Sequence, residues 1–417
     1  MSSVINNSNA NSALVNTIQA SESMTMASVV YSTEPIAPLH SMQYLPVDKA
    51  SGSVSTNGQM HFQIPKYGTM SQCLLSYDIT LAGAGKIKPL DFCNRIKSID
   101  LLSSSRTIST LTRADLVAQF SDLKQSQYNP VSASCIGKRT VAAGALTQRF
   151  TIPLVFGLFK EQNTQINTSF NEPCQIRVNW DTPDKAVDDG ASPPVAVAAT
   201  MGTNPQLKIR YKTYPEAAVS QMLAENYGDR PELNMLSTRW YDESTKTHPQ
   251  AGAAGSTQST TVELRNTEVV SDFFVYIRPS VVAANAVAAT LGEVNEFLPC
   301  EITKLTLRAS GQDIVELTGE ELAFMRLDTE GYACSLEYAT VEGLTKVGKV
   351  QTGVYDEHGV SNGFSLREMN SVSMAVEFTA PAGTAANDTY EIVVAERCLA
   401  IYAVSSSTGR LTLSLAN

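Results

Sequence analysis

The sequence predicts an all-β chain with minor helices, built as two β-sandwiches of jelly-roll type in tandem. Three observations lead there. One stretch of the chain occurs twice, at Arg95 to Phe120 and again at Glu301 to Arg326. Short alternating strand patterns, separated by long polar loops, recur in the same order around each copy. Helical spacing is confined to a short segment in each half, whereas an α/β sheet needs helices in regular alternation.

The repeat aligns without a gap. Identities fall at Ile96/Ile302, Leu101/Leu307, Ser104/Ser310, Ile108/Ile314, Leu111/Leu317, Thr112/Thr318 and Leu116/Leu322, with Ile99/Leu305 and Asp115/Glu321 as conservative pairs. Chance would give about one or two identities in such a window, so the chain reads as one module made twice. Each copy encodes a strand (Ile96, Ile99 and Leu101 in the first), a small polar turn at Ser103 to Ser105, and a second strand through Ile108 and Leu111. The period then changes. Thr112-Arg-Ala-Asp115 and Thr318-Gly-Glu-Glu321 both fit a capping box, and the helix-spaced residues Leu116, Val117 and Phe120, or Leu322, Ala323 and Met325, follow.

In chain order, residues 1–45 contain no Lys or Arg and carry a weak amphipathic signal between Ala13 and Val30. They read as an N-terminal arm that orders against a partner, with a flexible tail as the alternative. Residues 46–215 form the first jelly roll. Its strands are expected at Met60–Ile64, Cys73–Leu81, the repeated unit, Arg149–Phe156, Pro173–Trp180 and Leu207–Tyr214, with a polar loop at Gln125–Ala143 and an Asp/Pro loop after Asp181. Residues 216–256 form the connecting segment, with a short helix at Ala217–Asn226, an extended crossing at Leu233–Tyr241 and a small-residue linker at Pro249–Gly255. Residues 257–417 repeat the order as the second jelly roll. Thr261–Leu264 and Asp272–Ile277 stand for the first two strands, and Gly363–Leu366, Val372–Phe378 and Tyr390–Val404 follow the shared unit.

Composition narrows the function. Only 17% of residues are charged, a surface better suited to burial against neighbouring subunits than to a free monomer. The net charge of −10, with no cluster of Lys and Arg, argues against nucleic-acid binding. Seven scattered cysteines, Cys73, Cys93, Cys135, Cys174, Cys300, Cys334 and Cys398, with no Cys-x-x-Cys pair, read as buried free thiols of a chain made in a reducing cytosol. No secretory signal or membrane-spanning run is evident. The four histidines, His40, His61, His248 and His358, stand alone in sequence. Gly83-Ala-Gly85-Lys86 lacks the spacing of a phosphate loop, and Ile87 follows where Ser or Thr must hold magnesium. Asp181, Asp184, Asp188 and Asp189 lack the alternation of a calcium loop and read as a solvated acidic loop. No catalytic, cofactor-binding or metal-ligating residues are therefore expected.

The plan resembles the double jelly-roll major capsid proteins of tailless icosahedral viruses, the tectivirus and adenovirus-type lineage. The residues that carry the resemblance are the burst Asn266-Thr-Glu-Val-Val-Ser-Asp-Phe-Phe-Val275, the strand-turn-strand from Ile302 to Leu322, the Ile152-Pro-Leu-Val-Phe156 strand and the apolar strand Ile392 to Val404. The resemblance implies a structural protein of the virion, made in the host cytoplasm and without enzymatic activity. It implies a homotrimeric, pseudo-hexameric capsomer that contacts neighbouring capsomers, penton and minor capsid proteins in an icosahedral shell of a bacteriophage or other DNA virus. Such shells often lie over an internal membrane, and the arm, free of basic charge, would then face that membrane or adjoining capsomers rather than genome. The alternative is a carbohydrate-binding or virion attachment protein built from paired β-sandwiches. That reading calls for exposed aromatic platforms, whereas Trp180 and Trp240 both fall in strand-like runs.

Overall fold

A computed structural model describes residues 43–81, 96–122, 146–156, 166–167, 172–181, 199–213, 232–279, 301–322 and 340–415, with short breaks in some of these stretches. In the first module one sheet runs β1 (Gln43–Val47), β10 (Ala199–Thr213), β4 (Gly68–Leu81) and β7 (Leu146–Leu154), with β8 (Ile166–Asn167) also on β4. The facing sheet runs β2 (Lys49–Gly52), β3 (Gln59–Gln63), β9 (Cys174–Trp180), β5 (Ile96–Ser103) and β6 (Arg106–Thr112).

The second module repeats the plan. One sheet runs β11 (Glu232–Trp240), β24 (Thr389–Ser405), β14 (Val269–Pro279) and β19 (Gly348–Gln351). Beside it, β12 (Ser244–Pro249) and β25 (Leu411–Leu415) join β24, and β22 (Phe364–Ser365) joins β14. The facing sheet runs β13 (Thr257–Leu264), β23 (Val372–Thr379), β15 (Glu301–Ala309) and β16 (Gln312–Thr318). Two small ribbons, β17 (Thr340–Val341) with β18 (Leu344–Thr345) and β20 (Tyr355–Asp356) with β21 (Gly359–Val360), lie in the loops. Leaving aside the short accessory strands, the eight principal strands of each module take the orders 1-8-3-6 and 2-7-4-5 in two antiparallel sheets, which is a jelly roll. The chain is a double jelly roll.

The expected strands are where the alternation put them, some with longer ends and some with shorter: β10 starts at Ala199 rather than Leu207 and β4 at Gly68 rather than Cys73, whereas Gly363–Leu366 reduces to β22 at Phe364–Ser365. The run Leu233–Tyr241, read as an extended crossing, is β11, and it pairs along β24 as the first strand of the second module's sheet. Ile152-Pro153-Leu154 lies on β7, whose ladder partner is β4 on one side, so proline sits at the border of that sheet where its missing N–H is tolerated. The arm up to residue 42, the loops at 125–143 and 182–190, the Gly83–Lys86 stretch and the helix expected at 217–226 lie outside the described residues.

The duplication extends to hydrogen-bond register. Ser98 faces Thr112 and Leu101 faces Ser109, a bulge intervenes, and Leu102 faces Thr107. At the matched positions Lys304 faces Thr318 and Leu307 faces Val315, the bulge recurs, and Arg308 faces Asp313. The two turns also match: Ser104 and Ser105 have φ of 44° and 71°, and Ser310 and Gly311 have 52° and 80°. Left-handed conformation at both central residues is what a two-residue hairpin needs if its turn is to follow the strand twist. Both capping boxes form. The Thr112 N–H and hydroxyl donate to Asp115 Oδ2 at 2.7 and 2.8 Å, and those of Thr318 donate to Glu321 Oε2 at 2.8 and 2.9 Å. Helix α1 (Arg113–Asp122) follows the first, and residues 319–322 are helical after the second.

Candidate functional site

The sheet of β11, β24, β14 and β19 is buried on both faces at its centre. Along β14, Phe273, Val275 and Ile277 enter the second module's own core, while Phe274 and Tyr276 point the other way into the core of the first module. β24 divides likewise, with Ile392 and Val394 inward and Val393, Ala395, Ala400, Tyr402 and Val404 toward the first module. Because successive strand residues face opposite sides, a strand covered on both must be apolar throughout, which is why the runs Phe-Phe-Val-Tyr-Ile and Ile392 to Val394 show no polar alternation. What covers the outer face is β6 with α1, through Ile108, Leu111, Ala114, Leu116 and Ala118. The site that the fold builds is thus a seam between modules.

Polar groups in the seam are paired. The Tyr402 phenol donates to the Thr238 carbonyl at 3.1 Å and is hydrogen-bonded by Ser109 from the first module, while burial pushes its pKa up to about 12. Tyr276 is raised further by burial, against the pull of Arg278. Behind the aromatic face, Asp272 is fully buried and accepts from Arg397 Nε at 2.7 Å and Nη2 at 2.6 Å, with Lys349 Nζ at 3.7 Å. The Arg397 guanidinium lies 5.8 Å over Trp240 and 5.6 Å over Phe274, and Lys349 lies 5.6 Å over Phe274, so the same cations neutralise the acid and stack on the seam's rings. A crevice of about 500 Å³ remains between β6 and the β11 and β25 strands, lined among others by Arg106, Thr110, Asp115, Arg239 and Tyr241. Asp115 is engaged as the α1 cap, and Arg239 pairs with Glu268 at 3.0 Å. These charges have structural partners.

The residues weighed in the sequence do not converge. His61 sits half-buried on β3; His248 on β12 contacts Gln258 at 3.3 Å and packs edge-on to Phe378; His40 and His358 lie outside the described residues. Cys73, Cys174 and Cys398 are buried free thiols in separate strands, and burial raises Cys73 well above the usual thiol range. Trp180 is fully buried in the first core against Tyr77, and Trp240 stacks on Phe274 at the seam, so neither forms a platform on the surface. Among the described residues no group of three or more His, Cys, Asp or Glu could hold a metal ion. Sequence reasoning missed the seam itself, although the unbroken apolar run after Asp272 was the signal for it.

No protein-family model and no curated protein sequence matches the chain. The fold does match solved structures, among them several capsid proteins. PBCV-1 VP54, from a crystal structure fitted into a cryo-EM reconstruction of the virophage Sputnik, aligns with a TM-score of 0.65 at 12% identity over 93% of this chain and 98% of that one. The Faustovirus major capsid protein aligns with a TM-score of 0.59 at 11% identity, covering 92% of this chain and 93% of its own. For the mavirus major capsid protein the TM-score is 0.56 at 12% identity, with 95% and 94% covered. At these identities the likeness is one of fold, and it spans both modules.

Proposed function

We propose that this chain is a viral major capsid protein, a structural component of the virion whose three copies form a pseudo-hexameric capsomer of an icosahedral shell. The observation that carries the reading is the pairing of two jelly rolls of equivalent register, fused through an apolar seam, in a chain whose fold matches capsid proteins over nine-tenths of its length. A two-module chain offers two similar wedges, so a closed ring of three presents six and can tile a hexagonal lattice. Division at residues 46–215 and 257–417, with 216–256 between, belongs to this proposal, the connecting segment supplying β11 and β12 to the second module's sheet. So do the arm at residues 1–45, free of Lys and Arg, facing neighbouring capsomers or an internal membrane, contacts to penton and minor capsid proteins, synthesis in the host cytoplasm, and the absence of catalysis.

The test is the mass of the purified protein by light scattering across a range of concentrations. A trimer whose mass does not change on dilution is expected. A stable monomer at every concentration would overturn the capsomer reading and turn attention to glycan binding.

A further inference from the structure

Lys349 is the one buried lysine among the described residues, and it is buried against an acid. On β19 it stands opposite Phe274 of β14 in the ladder, and Asp272 is the next residue along the same face of β14. A lysine stem can span such a diagonal between neighbouring strands. The Lys349 side chain is 7% exposed and that of Asp272 0%, and Nζ lies 3.7 Å from Asp272 Oδ1. Nζ also lies 5.6 Å over the Phe274 ring. Amine and carboxyl therefore meet away from solvent and beside an aromatic wall.

Two features set this pair apart from an ordinary ion pair. The first is charge. Arg397 already neutralises Asp272, through Nε at 2.7 Å and Nη2 at 2.6 Å, so these three groups place two cations on one carboxylate. Each buried ion costs desolvation, and here three are buried where two would balance. The second is direction. Both Arg397 contacts and the Ser271 hydroxyl, at 2.9 Å, end on Oδ2, while the amine stands on the side of Oδ1. Donors gathered on one carboxyl oxygen stabilise the negative charge that builds there when a nucleophile adds to the carbon. At 3.7 Å the amine is beyond hydrogen-bond range of Oδ1 and near the roughly 3–3.5 Å from which held groups react.

We propose that Lys349 and Asp272 condense to an intramolecular amide, a covalent tie between β19 and β14. The ammonium first passes a proton to Oδ1, giving an amine and a carboxylic acid. The Nζ lone pair then adds to Cγ, and the oxyanion forms on Oδ2 against Arg397 and Ser271. Nζ passes a second proton to the Oδ1 hydroxyl, the Cγ–Oδ1 bond breaks, and water leaves. The pair supplies both protons and the oxygen of that water, so no other reagent takes part. One buried charge then stands where there were three. Arg397 keeps Oδ2, now an amide oxygen, as acceptor, and the Trp240 and Phe274 rings at 5.8 and 5.6 Å as cover. The bond closes the long loop that contains β15 and β16, and it fastens a four-residue strand at the border of its sheet.

The test is the intact mass of the denatured full chain, followed by peptide mapping. The wild type should weigh one water less than its sequence. Digestion should release a branched fragment that joins the peptides of Asp272 and Lys349 and survives reduction. Lys349→Met and Lys349→Arg, one without the charge and one with it, should each show their full sequence mass. A wild type of full mass, both fresh and after prolonged incubation of the folded protein, would overturn the proposal. So would a deficit that persists in either variant, or one without the branched fragment, as cyclisation at Asp189-Gly190 would produce. None of these masses depends on oligomeric state, so the inference stands or falls apart from the capsomer reading.

Discussion

Leu101 and Leu307 are both fully buried, at equivalent positions of the two copies, each in the centre of its own sandwich. Leu101→Ala and Leu307→Ala should each destabilise by about 2–5 kcal/mol, read from denaturant unfolding, because each removes buried methyl groups and leaves a cavity. A near-zero cost at either site would contradict the equivalence. Residue identity was a good guide to such positions and to the two capping boxes, whose spacing alone specifies the bonds that form. It was a poor guide to Ile108 and Ile314. These are the same residue in the same local pattern, and what separates 7% from 43% exposure is the module that lies over one of them. Burial decided by a distant part of the chain leaves no local trace.

The matched hairpin turns show how an element constrains its residues. Gly311 adopts its φ of 80° without a side-chain penalty, whereas Ser105 holds φ of 71° with a Cβ in place. Ser105→Gly should therefore stabilise the β5–β6 hairpin by up to about 1 kcal/mol, and Gly311→Ala should destabilise its counterpart by about the same. A Cβ at Gly311 meets nothing within 4 Å, so the cost there is conformational and comparable melting shifts of opposite sign are expected. Strands exposed on one face, such as β9 and β23, were legible because inward and outward residues alternate strictly along them. β11 was legible as extended chain and no further. Its membership of the second sheet depends on pairing with β24, far along the sequence, which no window can reveal.

At the scale of the whole molecule the seam makes stability depend on high pH. Burial holds the Tyr402 proton to about pH 12, against about 10 for the exposed phenol of an unfolded chain. Its contribution is complete below pH 10, since both states are then protonated, and is lost as pH rises toward 12 because the unfolded state releases the proton first. Tyr276 is shifted in the same direction. Denaturant midpoints should thus fall steeply over this window. Tyr402→Phe should cost about 1 kcal/mol at neutral pH through its lost hydrogen bonds and should flatten the alkaline fall. An equal slope in the variant would show that the seam tyrosine does not set it. The double-module plan was visible in sequence because duplication leaves matched residues. The seam was not, because it joins surfaces of two units that each look complete.

β24 has one further consequence, which concerns time rather than space. It lies between β11 and β14, and both of those are translated well before it. Until residues 389–405 leave the ribosome, the second module's sheet has an open slot with unpaired strand edges on both sides, and the apolar faces of Phe274 and Tyr276 have no backing strand. The first sandwich can close during synthesis, but the second waits for residues 389–405. The nascent protein must therefore pass through a long interval in which a half-built sheet could pair with a neighbour's, and rapid release or chaperone cover at that stage would determine how much of it reaches the folded state.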